Sequence, residues 1–161
     1  MTAQKKKSAN KSSDAVTVNK KAYHNFEIID KFEAGMSLQG SEVKSLRNGQ
    51  ADLSGAYARI IADECWLVGA SISQYEQAGI YNHEPVHNRK LLMHKIEIRK
   101  IKIKLDQRGF TLVPLKIYFN SRGLAKLQLG LARGKKQYDK RASITQKQQK
   151  RDLDRDMKKY R

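Results

Sequence analysis

Several residue types are scarce in this sequence, and each scarcity excludes a class of protein. Its 161 residues include one cysteine, Cys65, which excludes an internal disulfide and a cysteine zinc cluster. No apolar run approaches the roughly 20 residues that a membrane-spanning helix needs. The lysines at positions 5–7 precede no apolar stretch, so we expect no signal peptide and a cytoplasmic protein.

Acidic residues are also scarce: 16 Asp and Glu stand against 33 Lys and Arg, a formal net charge of +17. Residues 1–21 carry six Lys and one Asp, and residues 130–161 carry twelve Lys or Arg and four Asp, which leaves +4 for the 108 residues between. Two basic arms on a globular body favour a nucleic-acid partner, because clustered cations attract phosphates and release their counterions. Solvated tails are the alternative. Membrane-surface binding needs an amphipathic apolar face, which neither arm has.

Between the arms, short apolar segments separated by Gly, Asn and Asp are typical of antiparallel strands. We expect strands at 26–30, 36–47, 57–61, 65–73, 110–119 and 125–131, with turns at 48–49 and 120–123 and a hairpin across 62–64. Pro114 has no N–H to donate, so its strand should lie at an edge or carry a bulge there. Five or six short strands predict a mainly β domain, a closed or partly open antiparallel barrel.

Residues 91–105 fit two structures. Ile96 and Ile98 alternate as in a strand, whereas Leu92, Ile96 and Ile103 share one helical face, and the length favours a helix capped by Asn88. Residues 132–161 contain few apolar side chains. A helix over 143–160 would therefore bury no face, and we expect this tail to be disordered alone and to fold on a charged surface.

Motifs that resemble enzyme signatures do not fit their chemistry. His83-Glu84-Pro85-Val86-His87 has the letters of a zinc-binding H-E-x-x-H, but Pro85 disfavours the continuous helix that the motif needs, so a surface loop is expected. The GLARGKK run at 130–136 fails the spacing of a phosphate-binding loop. Cys65 lies in an apolar run and is predicted to be a buried core thiol. We therefore expect no catalytic residue, no metal and no cofactor: a binding protein rather than an enzyme. A metal-dependent hydrolase remains the third hypothesis, to be tested by zinc analysis.

Four blocks of the sequence resemble the SsrA-binding protein (small protein B) family. They are FEAG at 32–35 with LQGSEVKSLR at 38–47, RKLL at 89–92, LVPLKIYF at 112–119, and GKKQYDKR at 134–141. The resemblance implies an oligonucleotide-binding (OB)-fold-like β-barrel with flanking helices and a basic C-terminal tail that becomes helical when bound. It implies trans-translation, in which transfer-messenger RNA (tmRNA) is delivered to stalled ribosomes. The implied partners are tmRNA, the 70S ribosome with its decoding-centre rRNA, and elongation factor Tu, and the protein is expected to be a monomer.

The resemblance also assigns residues, in a layout of arm 1–21, barrel 22–131 and tail 132–161. Four residues match family positions that bind the tRNA-like domain: Asn19, Glu33, Leu92 and Lys126. Glu33 could accept a hydrogen bond from a base edge, a 2′-OH or a neighbouring Arg, or it could support a turn. Leu92 could contact RNA or belong to the core. With nearby basic residues, the predicted RNA-binding set is Asn19, Lys20, Glu33, Lys44, Arg47, Arg89, Lys90, Leu92 and Lys126. The predicted decoding-site set is Gly134, Lys135, Lys136, Tyr138, Asp139, Lys140 and Arg141.

Position 138 is a departure from the family pattern, because relatives often have His there. Either ring can stack on an exposed rRNA base, so Tyr138 retains stacking but loses any role that needs an imidazole proton. The alternative function is a general structured-RNA-binding protein or ribosome-associated translation factor. Such a protein would bind many structured RNAs with similar affinity at matched salt.

Overall fold

The computed structural model describes residues 15–135 and, beyond them, the helical positions Gln148, Gln149, Leu153 and Met157. Within 15–135 the strands are β1 Ala15–Val18, β2 Phe26–Met36, β3 Ala51–Asp52, β4 Tyr57–Ile61, β5 Glu64–Val68, β6 Ser71–Ile72, β7 Arg89–Leu92, β8 Phe110–Phe119 and β9 Ala125–Gly134. The helices are α1 Lys20–Asn25, α2 Gly40–Arg47 and α3 Lys95–Leu105, and a 3₁₀ segment covers Glu76–Tyr81. The predicted mainly β class is confirmed.

Six antiparallel strands pair in a closed ring. β8 pairs with β4, β4 with β5, β5 with β7, β7 with β2, and β2 with β9, which pairs again with β8. β1 pairs with the part of β8 that lies beyond its contact with β4. β3 and β6 form a separate two-stranded sheet. Because the ring closes on itself, the main sheet has the pairing of a small β-barrel, with helices beside it.

Aliphatic side chains from the adjacent strands β8 and β9 fill much of the interior. The buried residues of β8 and β9 include Leu112, Leu115, Ile117, Leu127, Leu129 and Leu131. Leu46 of α2 and Ile101 of α3 are fully buried in the main core cluster, so both helices pack against the barrel. The register of β8 against β9 shifts between Pro114 and Lys116, which places the predicted bulge at the proline.

The predicted strand over 36–47 is wrong, and the first strand is longer than predicted. β2 continues from Phe26 to Met36, after which the chain forms α2. A capping box starts this helix: the Gln39 backbone N–H donates to the Glu42 carboxylate at 2.7 Å. The sequence signal was weak because Gln is not among the preferred N-cap residues.

The predicted hairpin across 62–64 is confirmed, with β4 and β5 as its strands. Ala62 and Asp63 adopt φ values of 48° and 58°, the left-handed conformation that a two-residue type I′ loop requires. The predicted strand over 65–73 is divided: Gly69, at φ 75°, separates β5 from β6.

Residues 91–105 contain both of the structures that their pattern allowed. The first two residues end strand β7, and helix α3 then covers Lys95–Leu105. The N-cap is His94, whose backbone N–H bonds to the side chain of Glu97, so the prediction that Asn88 caps the helix is wrong. Ile98 and Ile101 are the buried residues of the helix.

Described strands and helices also lie outside the predicted barrel, residues 22–131, at both ends. Residues 15–21, predicted as part of a flexible arm, form β1 and begin α1, because β1 pairs with β8. β9 runs to Gly134, three residues into the predicted tail. Within the predicted helix over 143–160, the four described positions are helical and exposed, and the rest of that prediction lies outside the described residues. No helix in the described part of the chain could cross a membrane.

Candidate nucleic-acid interface

Three predicted RNA-binding residues from three different strands converge on one surface depression. β2 lies between β7 and β9, and Gly35 of β2 pairs with both Leu92 of β7 and Lys126 of β9. Glu33, two residues earlier, points to the same face because side chains alternate along a strand. These three residues line a depression of about 390 Å³ together with Met93, His94 and Glu97. The barrel therefore brings carboxylates, the ammonium of Lys126 and apolar side chains together in one place.

The Glu33 carboxylate at this depression is held by two donors. The Lys126 Nζ lies 3.1 Å from Oε1, and the Tyr118 hydroxyl donates to Oε2. The hydrogen bond from Tyr118, followed by the bond from Lys126, lowers the pKa of Glu33 below its ordinary value. Glu33 is ionised at neutral pH, and its side chain is 55% exposed. Among the described residues, the side-chain partners of Glu33 are Lys126 and Tyr118 rather than an arginine.

Tyr118 belongs to this site, although it was not among the predicted residues. Burial, with the bond to Glu33 as the second cause, raises the pKa of Tyr118 to about 12, so its hydroxyl is a donor at neutral pH. The Lys116 Nζ lies 5.0 Å from the centroid of the Tyr118 ring, at cation–π distance. The sequence offered one indication of its role: a hairpin with its turn at 120–123 places Tyr118 opposite Lys126 on the neighbouring strand.

The predicted residues Lys44 and Arg47 lie on α2 and do not line the Glu33 depression. Both are exposed, and each cation lies over an aromatic ring: Lys44 Nζ is 5.4 Å from the Tyr75 centroid, and Arg47 Cζ is 5.7 Å from the Phe119 centroid. An exposed cation beside an aromatic ring combines a phosphate contact with a stacking surface. These two residues form a second basic surface.

Lys20 and Lys90 occupy separate places on the surface. Lys20 is the first residue of α1 and is exposed. Lys90 lies on β7, where its ammonium forms an ion pair with Glu64 and is half-exposed. The exposed Lys20 can therefore contact an RNA phosphate directly, whereas Lys90 would have to break its ion pair with Glu64 before it could do so.

Asn19 has a structural role that the sequence did not predict. Its side-chain oxygen accepts the Ala22 N–H at 3.0 Å as the N-cap of α1, and its amide donates to the carbonyls of Leu53 and Pro114 at 3.0 and 3.1 Å. Because the side chain is buried and its amide is already bonded, Asn19 contributes to the fold in this structure, and its predicted role in gripping RNA stays a prediction. It joins α1 to β8 and thereby positions Lys20.

Arg89 is likewise part of the scaffold. Its guanidinium donates to the Glu42 carboxylate at 2.7 Å and to the carbonyls of Ala70 and Pro85 at 2.7 and 3.0 Å. Only 1% of the residue is exposed, so a scaffold role is favoured, and the predicted contact with RNA stays a prediction. The ion pair instead fixes α2, and hence Lys44, against the 82–88 loop.

The first two residues of the predicted tail site lie at the end of β9. Lys135 is anchored twice: its N–H donates to the carbonyl of Asn25 at 3.0 Å, and its Nζ to the carbonyl of Tyr23 at 3.2 Å. Gly134 has open space where a Cβ would stand. Lys136, Tyr138, Asp139, Lys140 and Arg141 lie outside the described residues.

Comparison with known proteins decides the family. A family model described as "SmpB protein" matches residues 16–159. The chain belongs to the SmpB protein family. Relatives called SsrA-binding protein are 48% identical in Desulforamulus reducens, over 95% of each chain, and 50% identical in Syntrophobacter fumaroxidans, over 96% of this chain and 95% of that one.

A solved structure supports the SmpB assignment. It is described as "tmRNA-SmpB: a journey to the center of the bacterial ribosome", and its similar chain is 50% identical with a TM-score of 0.65. The match covers 75% of this chain and 85% of that chain. The four sequence blocks and the mainly β fold therefore identify the same family.

The histidines of the H-E-x-x-H run have separate partners in this SmpB-family fold. His83 is buried, which corrects the expectation of a surface position, and its ring nitrogens lie 3.0 Å from Ser41 Oγ and from the Ile72 carbonyl. His87 Nδ1 lies 2.9 Å from the Glu84 carbonyl. Within the described residues, no three His, Cys, Asp or Glu side chains are grouped as a metal site requires.

Cys65 is buried as predicted, and burial raises its pKa to about 11.

Proposed function

We propose that this chain binds the tRNA-like domain of tmRNA, also called SsrA RNA, and acts with it in trans-translation on stalled ribosomes. The observation that carries the proposal is the convergence of Glu33, Leu92 and Lys126 on the barrel of an SmpB-family chain. The relatives called SsrA-binding protein and the tmRNA–SmpB structure name the RNA and the ribosome as partners of those proteins.

The barrel surface has the chemistry for recognising an RNA fold. Lys126 supplies a cation for phosphate, Glu33 supplies an ionised acceptor, and Leu92, which is 54% exposed, supplies an apolar contact for a base or sugar. Phosphate contacts alone would give affinity without selectivity. An acceptor carboxylate repels phosphate and accepts only from donors, so its presence favours a site that distinguishes one RNA from another.

The tail is proposed to act at the ribosome rather than in tmRNA binding. Lys135 is bonded to the Tyr23 and Asn25 carbonyls, so the tail leaves the barrel at a fixed place beside α1. Residues 130–161 carry a net charge of +8, which suits entry into an rRNA-lined site. In this proposal Gly134 to Arg141 occupy the small-subunit decoding site, with Tyr138 stacking on rRNA. The protein acts as a cytoplasmic monomer without catalysis, and elongation factor Tu joins the delivery complex.

Reconstituted tagging tests this division of labour. A translation system lacking its own SmpB-family protein, programmed with an mRNA without a stop codon, should add the tmRNA-encoded tag when this chain is supplied. Tyr138→Ala and Lys140→Ala should lower tagging but leave affinity for tmRNA unchanged, while Lys100→Ala, an exposed lysine on α3, should leave both unchanged. Equal loss of binding and tagging in the tail variants would refute the division.

A general structured-RNA-binding protein is the second candidate, favoured by the net charge of +17. It predicts that tmRNA, ordinary tRNA and unrelated hairpins bind with similar affinity at the same salt concentration. It also predicts that removing the Glu33 charge strengthens binding to all of them, since the carboxylate would only repel phosphate.

A further inference from the structure

We propose that Tyr118 is a positioning residue that fixes Glu33 as a double acceptor for the donor edge of an unpaired guanine in the bound RNA. The inference rests on the proposed function, because it concerns how the same surface selects its RNA. It adds a residue that does not line the depression and a chemical identity for the group that Glu33 accepts from.

The first step is the geometry of the carboxylate. Tyr118 donates to Oε2, and Lys126 lies 3.1 Å from Oε1, so each oxygen has one protein donor. A carboxylate oxygen has two lone-pair sites, which leaves one site on each oxygen for a ligand. The Glu33 side chain remains 55% exposed, so the carboxylate can be reached from solvent. The result is an exposed carboxylate whose two oxygens are each held by one protein donor.

The second step is that the hydrogen bond from β8 to Glu33 needs a long, rigid side chain such as tyrosine. Glu33 lies on β2 and Tyr118 on β8, and β9 lies between them, with Lys126 paired to both neighbouring strands. Two strand spacings separate β2 from β8, about 10 Å. The Tyr118 ring spans part of that distance across β9, and Lys116 lies over it. A phenylalanine would keep the ring and its packing but lose the bond.

The third step is the identity of the ligand. The Watson–Crick edge of guanine presents two adjacent donor groups, N1–H and N2–H₂, whereas the Watson–Crick edge of each other base presents only one donor group. A carboxylate accepts but cannot donate, so guanine alone matches both oxygens. Single-stranded bases in RNA loops expose this edge for recognition. The exposed side chain of Leu92 in the same depression can contact the face of such a base.

A double-mutant cycle on the full-length chain tests the positioning role. Affinity for the tRNA-like domain is measured at one salt concentration for wild type, Tyr118→Phe, Glu33→Gln and the double variant. Tyr118→Phe should bind about 10-fold more weakly, the loss expected for a hydrogen bond to a charged group. In the Glu33→Gln background the same change should have no further effect. Tyr57→Phe, an exposed tyrosine on β4 outside the depression, is the matched control and should bind as wild type.

A pH profile separates positioning from a general structural effect. The Tyr118 hydrogen bond is the largest cause of the lowered pKa of Glu33, so Tyr118→Phe should raise that pKa. RNA affinity of the variant should therefore begin to fall at a higher pH than that of wild type. An unchanged profile with weaker binding would overturn the proposal.

Modified RNAs test the ligand. Unpaired guanines of the tRNA-like domain are replaced one at a time by inosine, which lacks the N2 amino group, or by 2′-deoxyguanosine. One inosine position should weaken binding to wild type and have no effect on Glu33→Gln. Loss confined to a 2′-deoxy position would overturn the guanine assignment, and additive losses in the cycle would overturn the positioning role. Equal wild-type affinity for the tRNA-like domain and ordinary tRNA would instead refute the proposed function.

Discussion

Replacing Arg89 with alanine should destabilise the fold rather than weaken a contact with RNA. The guanidinium is bonded to Glu42 and to the carbonyls of Ala70 and Pro85, and both members of the ion pair are 1% exposed. Without Arg89, the Glu42 carboxylate is left buried, with the ring Nε2 of His87 3.5 Å away. Breaking a buried pair on one side costs about 3–5 kcal/mol, a large part of the 5–15 kcal/mol typical of a folded domain.

The assay is equilibrium unfolding in urea followed by circular dichroism. Arg89→Ala should lower the free energy of unfolding by about 3–5 kcal/mol, whereas Lys90→Ala should lower it by less than about 1 kcal/mol, because its ion pair with Glu64 is half-exposed. Arg89→Met combined with Glu42→Gln should recover part of the loss, since no unpaired charge remains buried.

RNA affinity of the Arg89 variant decides between scaffold and direct contact. Under conditions in which the variant is folded, its affinity for the tRNA-like domain should be close to that of wild type. The reasoning is refuted if Arg89→Ala unfolds at the same urea concentration as wild type but binds RNA more than about 10-fold more weakly, the loss expected for a direct charged contact.

Three further predictions concern single residues. The partners of Glu33 lower its pKa in the folded state, so they stabilise the fold above the unfolded pKa of about 4.5. This contribution is lost as the pH falls through the lower pKa of the folded state. Free energies of unfolding measured from pH 6 downward, for wild type and Glu33→Gln, check this prediction. Cys65 should resist a thiol reagent at pH 8 in the native protein and react in urea, because burial raises its pKa to about 11; rapid native labelling would contradict this. Gly130→Ala should destabilise by about 1–3 kcal/mol, because a Cβ would lie 3.1 Å from Leu115, whereas Gly134→Ala has open space and should not.

Strands with strong alternation were predictable from the sequence, and helix α2 was not. The β8–β9 hairpin combines a run of β-forming residues, a proline that marks its bulge and a turn over 120–123, so local signals agreed with the fold. In 36–47 they did not agree: the apolar positions fit a strand, and the helix depends on a Gln39–Glu42 capping box and on Leu46 reaching the core.

In the candidate site, the residues that the family pattern includes were predicted, and the contacts that depend on the tertiary fold were not. Glu33, Leu92 and Lys126 were predicted one by one, and the ring of strands brings them together. The burial of Arg89 could not be predicted, because the local sequence RKLL does not distinguish an exposed arginine from one that pairs with a buried glutamate far away in the sequence. Tyr118 was missed because its role depends on a contact across β9, between residues 85 positions apart in sequence.

The most direct test of the account is the selectivity of the full-length chain. Affinity for the tRNA-like domain of tmRNA and for ordinary tRNA should be measured side by side at one near-physiological salt concentration, for wild type, Glu33→Gln and Lys100→Ala. The account predicts that wild type and Lys100→Ala prefer the tRNA-like domain and that Glu33→Gln loses much of this preference. Equal affinity of wild type for both RNAs would contradict it and leave counterion release as the source of binding.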